Sequence, residues 1–343
     1  MCGITGIVGG DNREPIIPMT EALDHRGPDG FGYHNDSDAA LGHTRLSIID
    51  LAGGQQPIQN SGETVTLVCN GEIYNSPELR KKFAAAGYQF RTKTDVEVIL
   101  PLYEKYGTAC VNHLRGMFAF AIWDAAKRQL MLARDHMGQK PLHYAHHRGQ
   151  LLFASEPKAL LASGVLPRDL DLEAIWHYMS LRYIPDDRTL FSPIKKLETG
   201  SFMTYSVETD QVRKETYWSP VFEPKFDTSE NELTDQLEEL MRDAVDKHLL
   251  SDVPVGTFLS GGIDSGTVSA MMAALNPDTQ IPSFTIGVKD ASFDESGYAK
   301  SVAEKYNMDS HIQTANADLI ELTPRMIRAM DEPADPFGAG VYM

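Results

Sequence analysis

From Arg115 to Asp124 the chain reads Arg-Gly-Met-Phe-Ala-Phe-Ala-Ile-Trp-Asp, an apolar run with charges only at its two ends. A run this short and this continuous predicts a strand buried on both faces, as in stacked sheets. Its neighbours fit that reading. Thr64 to Cys69 alternates around Val65 and Leu67, and Gln129 to Ala133 and Leu151 to Ala154 follow turn-rich breaks. Helices punctuate these strands. Ser76-Pro77 offers an N-cap and a first-turn proline for a helix that stops near Gly87. Thr94 and Glu97 have the spacing of a capping box for the next helix, which Pro101 shortens or kinks. Strands inside and helices outside predict a layered α/β sandwich over residues 2–160.

Residues 161–228 change character, with scattered prolines and an aromatic stretch ending at Tyr217-Trp218, and read as a connection with entry strands. A second domain is expected over 229–343. Ser229 and Glu232 form a capping box ahead of Leu233, Leu237, Leu240, Met241, Ala244 and Val245 at helical spacing. A strand at Gly256–Leu259, the turn Ser260-Gly-Gly-Ile-Asp-Ser265, and a helix through Val268, Met272 and Leu275 come next. A strand over 282–288, a helix over 298–306 and a strand near His311 extend the pattern to the start of a doubly wound parallel sheet.

The 31 Lys and Arg against 48 Asp and Glu give a formal charge of −17, which repels phosphate backbones and argues against nucleic acid or an anionic membrane surface as partner. No apolar stretch approaches the roughly 20 residues a membrane-spanning helix needs. The opening MCGITGIVGG lacks a basic flank and a cleavage site. Cys2, Cys69 and Cys110 are odd in number and far apart, so a disulfide framework is not expected and a reducing cytoplasm is the simplest setting.

Cys2 stands apart from the other two. Aminopeptidase removal of Met1 before a small residue leaves a cysteine that carries both a thiol and a free α-amine. That amine, with a reference pKa of about 7.7–8.0, can take the thiol proton near neutrality. The thiolate is the nucleophile, and a built-in base removes the need for a histidine partner. Taken singly, the other candidates have bland readings: Asn70-Gly71 is a tight-turn dipeptide, Arg45 a surface ion pair, and His25–Asp29 a charged turn. Taken together in order, Cys2-Gly-Ile, His25-Arg-Gly-Pro-Asp29, Arg45-Leu-Ser-Ile-Ile-Asp50, Asn70-Gly-Glu-Ile-Tyr-Asn75 and Thr94-Asp95 are far more specific.

This set resembles the class II glutamine amidotransferases with an N-terminal nucleophile, and among them the glutamine-hydrolysing asparagine synthetase family. The resemblance runs along essentially the whole chain from Cys2. It implies that Cys2 attacks the amide of glutamine while the Asn70 side-chain amide and the Gly71 N–H stabilise the oxyanion. Arg45 then offers its bidentate fork to the substrate carboxylate, with Leu46, Ser47, Ile48 and Ile49 completing the pocket through backbone groups. Glu72 and Asp95 take the substrate ammonium.

In the second half, Gly261 and Gly262 let the backbone approach a phosphate, and Ser260, Ser265 and the helix N–H groups donate to it. Asp264 suits a bridging Mg²⁺. The loop resembles the pyrophosphate loop of ATP-pyrophosphatases, which implies ATP binding, with Leu259 and Ile286 against adenine or ribose through backbone contacts. The resemblance further implies aspartate as the activated substrate, β-aspartyl-AMP as intermediate, asparagine as product, and a homodimer. There are departures. Lys196-Leu-Glu-Thr-Gly200 replaces the family's Lys-Leu-Pro-Pro-Gly, and Gly266 stands where a second serine is usual. The acidic segment Asp331–Pro336 resembles an approach to the acceptor pocket, yet 256–343 supplies too few strands for a doubly wound sheet, so a C-terminal truncation is expected. Two alternatives stay open: an amidotransferase acting on another carboxylate, and a glutaminase-only or inactive chain.

Overall fold

The computed structural model describes residues 1–11, 13–223, 225–288, 294–314 and 319–332. They form two compact units, 1–221 with 331–332 and 222–330.

The strands of the first unit are β1 (Gly3–Gly9), β2 (Gly30–Asn35), β3 (Ala39–Arg45), β4 (Ile58–Gln59), β5 (Val65–Ile73) and β6 (Gly116–Asp124). They continue with β7 (Gln129–Arg134), β8 (His143–His147), β9 (Gln150–Ala154), β10 (Lys195–Lys196), β11 (Ser201–Ser206) and β12 (Gln211–Thr216). Its helices are α1 (Ile16–Glu21), α2 (Ser76–Ala85), α3 (Ile99–Tyr106), α4 (Pro157–Ala162) and α5 (Leu172–Leu181). Two six-stranded sheets result, in the orders β10-β8-β9-β1-β3-β2 and β12-β11-β7-β6-β5-β4.

Strand β6 explains the layering. Phe118, Phe120 and Ile122 point one way, into a cluster with Leu79, Phe83, Ile99 and Leu102 of α2 and α3. Ala119, Ala121 and Trp123 point the other way, against Ile4, Leu41, Leu151 and Phe153 of the facing sheet. Each large side chain so buried contributes roughly 1.5–3 kcal/mol, and a charge on either face forfeits it. On the far side, Ile7 and Leu152 pack with Met19 of α1 and Leu160 of α4. The order is helix, sheet, sheet, helix, the αββα sandwich expected.

Several local expectations differ. The cap of α2 is Asn75 rather than Ser76, without a side-chain cap bond. The Thr94–Glu97 capping box does not form: the Glu97 carboxylate accepts the Arg91 and Thr92 N–H groups (2.7 and 2.9 Å), which outcompete the cap. Pro101 falls in the first turn of α3, where its missing N–H costs no bond. The stretch 161–228, expected as a connection with entry strands, holds α5, β10, β11 and β12, and β11 pairs with β7 over Phe202–Ser206.

The second unit holds β13 (Thr257–Phe258), β14 (Pro282–Gly287) and β15 (Asp309–Thr314), paired in that order and parallel, with α6 (Glu230–His248), α7 (Ile263–Leu275), α8 (Ser296–Lys305) and α9 (Leu319–Met330). The Ser229–Glu232 capping box is formed. This is a three-stranded parallel sheet with its strands in sequence order and helices between them. Residues 333–336 of the acidic segment lie outside the described residues.

Candidate active site

Cys2 precedes β1, which lies between β3 and β9. Its carbonyl accepts the Arg26 Nε–H (2.9 Å), and Arg26 is fixed in turn by Glu156 (2.5 Å). The Leu46 N–H lies 3.4 Å from Cys2 Sγ. Burial pushes the Cys2 thiol pKa up, with the Leu46 hydrogen bond and nearby cations opposing. At rest this is therefore a thiol that needs a base. Burial also lowers the pKa of the Met1 amine.

Beside Cys2 lies a cavity of about 120 Å³. Cys2, Arg45, Leu46, Ile48, Ile49, Asn70, Gly71, Glu72 and Asp95, nine of the residues expected for glutamine, all line it. They reach it from different elements: Arg45 ends β3, Asn70 to Glu72 lie just before the end of β5, and Asp95 opens the short turn of helix that leads into α3. Asn70-Gly71 is thus not a tight turn but strand, paired with Ala119 and Phe118 of β6. A Cβ on Gly71 would stand 2.1 Å from the Met117 carbonyl oxygen, so only glycine fits there. Asn70 is 1% exposed, and its Nδ2 has no hydrogen-bond partner among the described residues. An unpaired buried amide costs about 1–3 kcal/mol, an expense that marks a donor held for something else.

Two assignments are modified. Ser47 does not line the cavity; its N–H donates to Asp29 (2.7 Å), which turns the residue away. Arg45 lines the cavity but spends its fork on the loop carbonyls of Ile49, Asp50 and Leu51 (3.3, 2.5 and 3.3 Å), and so builds the loop as well as facing the ligand.

Asp95 accepts the Ile73 N–H (2.5 Å) and the Thr94 hydroxyl (3.2 Å), yet burial lifts its pKa to about 6. Burial, then repulsion from Asp95, lifts Glu72 to about 7. Gln56, Thr94, Met117 and Lys140 line the cavity too. Thr94 belongs to the Thr94-Asp95 motif, whereas Gln56, Met117 and Lys140 sit in segments with no pattern beyond their strand or turn.

In the second unit, the Ser260 and Ser265 hydroxyls lie 2.8 Å apart across the turn, and Gly262 caps α7 without a side-chain bond, leaving its first N–H groups open. A Cβ at Gly261 would meet Glu295 Cβ at 2.6 Å. These features fit a phosphate. Asp264 sits in the first turn of α7, and no group of three metal-ligating His, Cys, Asp or Glu side chains occurs among the described residues. One carboxylate suffices for a magnesium ion held mainly by phosphates and water. Leu259 is buried with its N–H given to Phe284 (2.9 Å) and its carbonyl taken by Thr285 (2.7 Å), so its backbone is already paired, whereas Ile286 is 46% exposed. No helix among the described residues is long and apolar enough to cross a membrane.

A cysteine just ahead of the first strand, an αββα sandwich and a cavity with paired carboxylates make up the site. A family profile described as glutamine amidotransferase domain matches residues 1–218, and one described as asparagine synthase matches 236–343. The chain is 38% identical to glutamine-hydrolyzing asparagine synthetase 1 of Bacillus subtilis, over 100% of this chain and 55% of that protein. It is 34% identical to putative glutamine-hydrolyzing asparagine synthetase 2 of Methanocaldococcus jannaschii, over 97% of this chain and 68% of that protein. The solved structure of an allosteric regulatory enzyme of purine biosynthesis shares the fold at a TM-score of 0.52 and 14% identity, over 99% of this chain and 91% of that one. The chain belongs to the glutamine-hydrolysing asparagine synthetase family. It spans about half the length of the curated Bacillus relative.

Proposed function

We propose that the first unit hydrolyses glutamine and that the chain serves glutamine-dependent asparagine synthesis. The observation that carries this reading is the buried, unpartnered Asn70 amide in the wall of the Cys2 cavity. Once Met1 is removed, the Cys2 amine takes the thiol proton, and Sγ attacks the glutamine amide carbon. Asn70 Nδ2 and the Gly71 N–H donate to the oxyanion. Glu72 and Asp95 hold the substrate ammonium, while Arg45 and the backbone of 46–49 receive its carboxylate. The amide nitrogen takes a proton and leaves as ammonia, and water then attacks the Cys2 thioester to release glutamate.

In the second unit Ser260, Gly261, Gly262 and Ser265 hold the phosphates of ATP, Asp264 takes Mg²⁺, and Ile286 and Leu259 border the nucleoside. The aspartate side-chain carboxylate attacks the α-phosphorus of ATP to give β-aspartyl-AMP with pyrophosphate as the leaving group, and ammonia then attacks the activated carbonyl to give asparagine and AMP. The domain division that goes with this is a glutaminase followed by the start of a synthetase. A cytoplasmic homodimer fits the same reading.

Asn70→Ala tests the oxyanion role. Steady-state glutamate release should lose about 10²–10³ in kcat with KM little changed. An unchanged kcat rules Asn70 out.

A further inference from the structure

The Cys2 cavity also contains a cation to which the mechanism gives no task. Lys140 is 6% exposed and lines the same cavity as Cys2 and Glu72. Among the described residues its Nζ has one polar neighbour, Met1 Sδ at 3.3 Å. No carboxylate among them comes within the 4.0 Å of an ion pair. Burying an ammonium without an ion pair is costly, and burial duly pushes its pKa down.

The loop nevertheless holds it firmly. The Asp135 carboxylate, 1% exposed, accepts the N–H groups of Phe118, Met137, Gln139 and Lys140 at 3.2, 3.1, 2.9 and 3.0 Å. The Lys140 carbonyl accepts Arg134 Nε–H at 2.8 Å. Lys140 is therefore pinned at both ends of its peptide unit, and its side chain is presented to the cavity.

Glu72 supplies the reason. It faces Asp95, Lys140 and the Met1 amine; burial and Asp95 favour its neutral form, and Lys140 and that amine oppose them. A neutral Glu72 holds an ammonium poorly. A contact ion pair would restore the charge but occupy the carboxylate oxygens. A cation in the same cavity, beyond contact distance, favours the charge and leaves those oxygens open.

We propose that Lys140 is a positioning residue for glutamine: presented by the Asp135-centred loop, its ammonium favours the charged form of Glu72 and leaves that carboxylate free to receive the substrate ammonium. This rests on the glutaminase reading above. Lys140 itself faces Glu72, Asp135, Arg26 and Cys2, of which Glu72 acts on it most among the charges.

The test is the ¹³C-carboxyl titration of Glu72 in the whole chain without ligand, in wild type, Lys140→Met and Lys140→Arg. Removing the cation should raise the Glu72 midpoint by about one pH unit, and arginine should restore it. In glutamate release, the acidic limb of kcat/KM should move up with it, for about a five-fold loss at pH 7, while kcat at saturation changes less than about two-fold. Lys140→Gln carries the same expectation if the methionine variant does not fold. A Glu72 midpoint that stays put in Lys140→Met overturns the proposal, as does a failure of arginine to restore it. Absence of glutamate release from the wild type would sink the glutaminase reading, while the titration still decides the role of Lys140.

Discussion

Arg45 is asked to do two things at once. Its guanidinium closes the loop over Ile49 to Leu51 and also lines the cavity. A lysine keeps the charge but not the planar fork, so it cannot serve these carbonyls together. Arg45→Lys should cost about 1 kcal/mol, at the low end because loop carbonyls can turn to water, and should raise the glutamine KM about ten-fold. Thermal unfolding and steady-state kinetics read the two effects separately. A variant with wild-type KM would leave Arg45 a structural role only. At this scale the sequence was most informative where a residue type has one chemistry. Cys2, Asn70, Glu72 and Asp95 do converge, but Ser47 does not, because its N–H is taken by Asp29. The Asp29 contact depends on a fold that brings the segment around Gly27 beside β3, and nothing local announces it.

Among elements, β5 and β6 carry the most weight. The continuous apolar run of β6 was legible because a strand buried on both faces has no polar side to display. Just before its end, the partner β5 carries Asn70-Gly71-Glu72, where turn chemistry and strand chemistry compete, and pairing with β6 wins. Gly71 is the point of closest approach. Gly71→Ala must push the Met117 carbonyl away from a Cβ that would lie 2.1 Å from it. Overpacking of this kind costs about 1–3 kcal/mol, and a lower urea midpoint with an unchanged m-value is the expected sign. An unmoved midpoint would mean the two strands separate there at no cost. Strands β11 and β12 fall in the stretch whose scattered prolines and polar loops suggest a connection with entry strands. Only the pairing of β11 with β7 makes them part of the sandwich. The failed Thr94 cap has the same kind of origin: Glu97 had better-placed N–H groups at Arg91 and Thr92.

Over the whole molecule, the αββα sandwich and the opening of the parallel sheet were both readable, the first from strands without a polar face and the second from a glycine-rich turn between strand and helix. Lys140 was not, since a buried lysine leaves no periodic trace, and its place depends on the Asp135 turn. Cys2, the Asn70 donor and the paired carboxylates Glu72 and Asp95 line one cavity, and the proposed function requires that Cys2 turn over glutamine there. The direct measurement is enzyme-coupled glutamate release from glutamine by the chain freed of Met1, alongside Cys2→Ala. The account predicts turnover by the first and none above the uncatalysed rate by the second. Equal rates from the two proteins, or no release from the first once mass spectrometry verifies a free Cys2 amine, would contradict it.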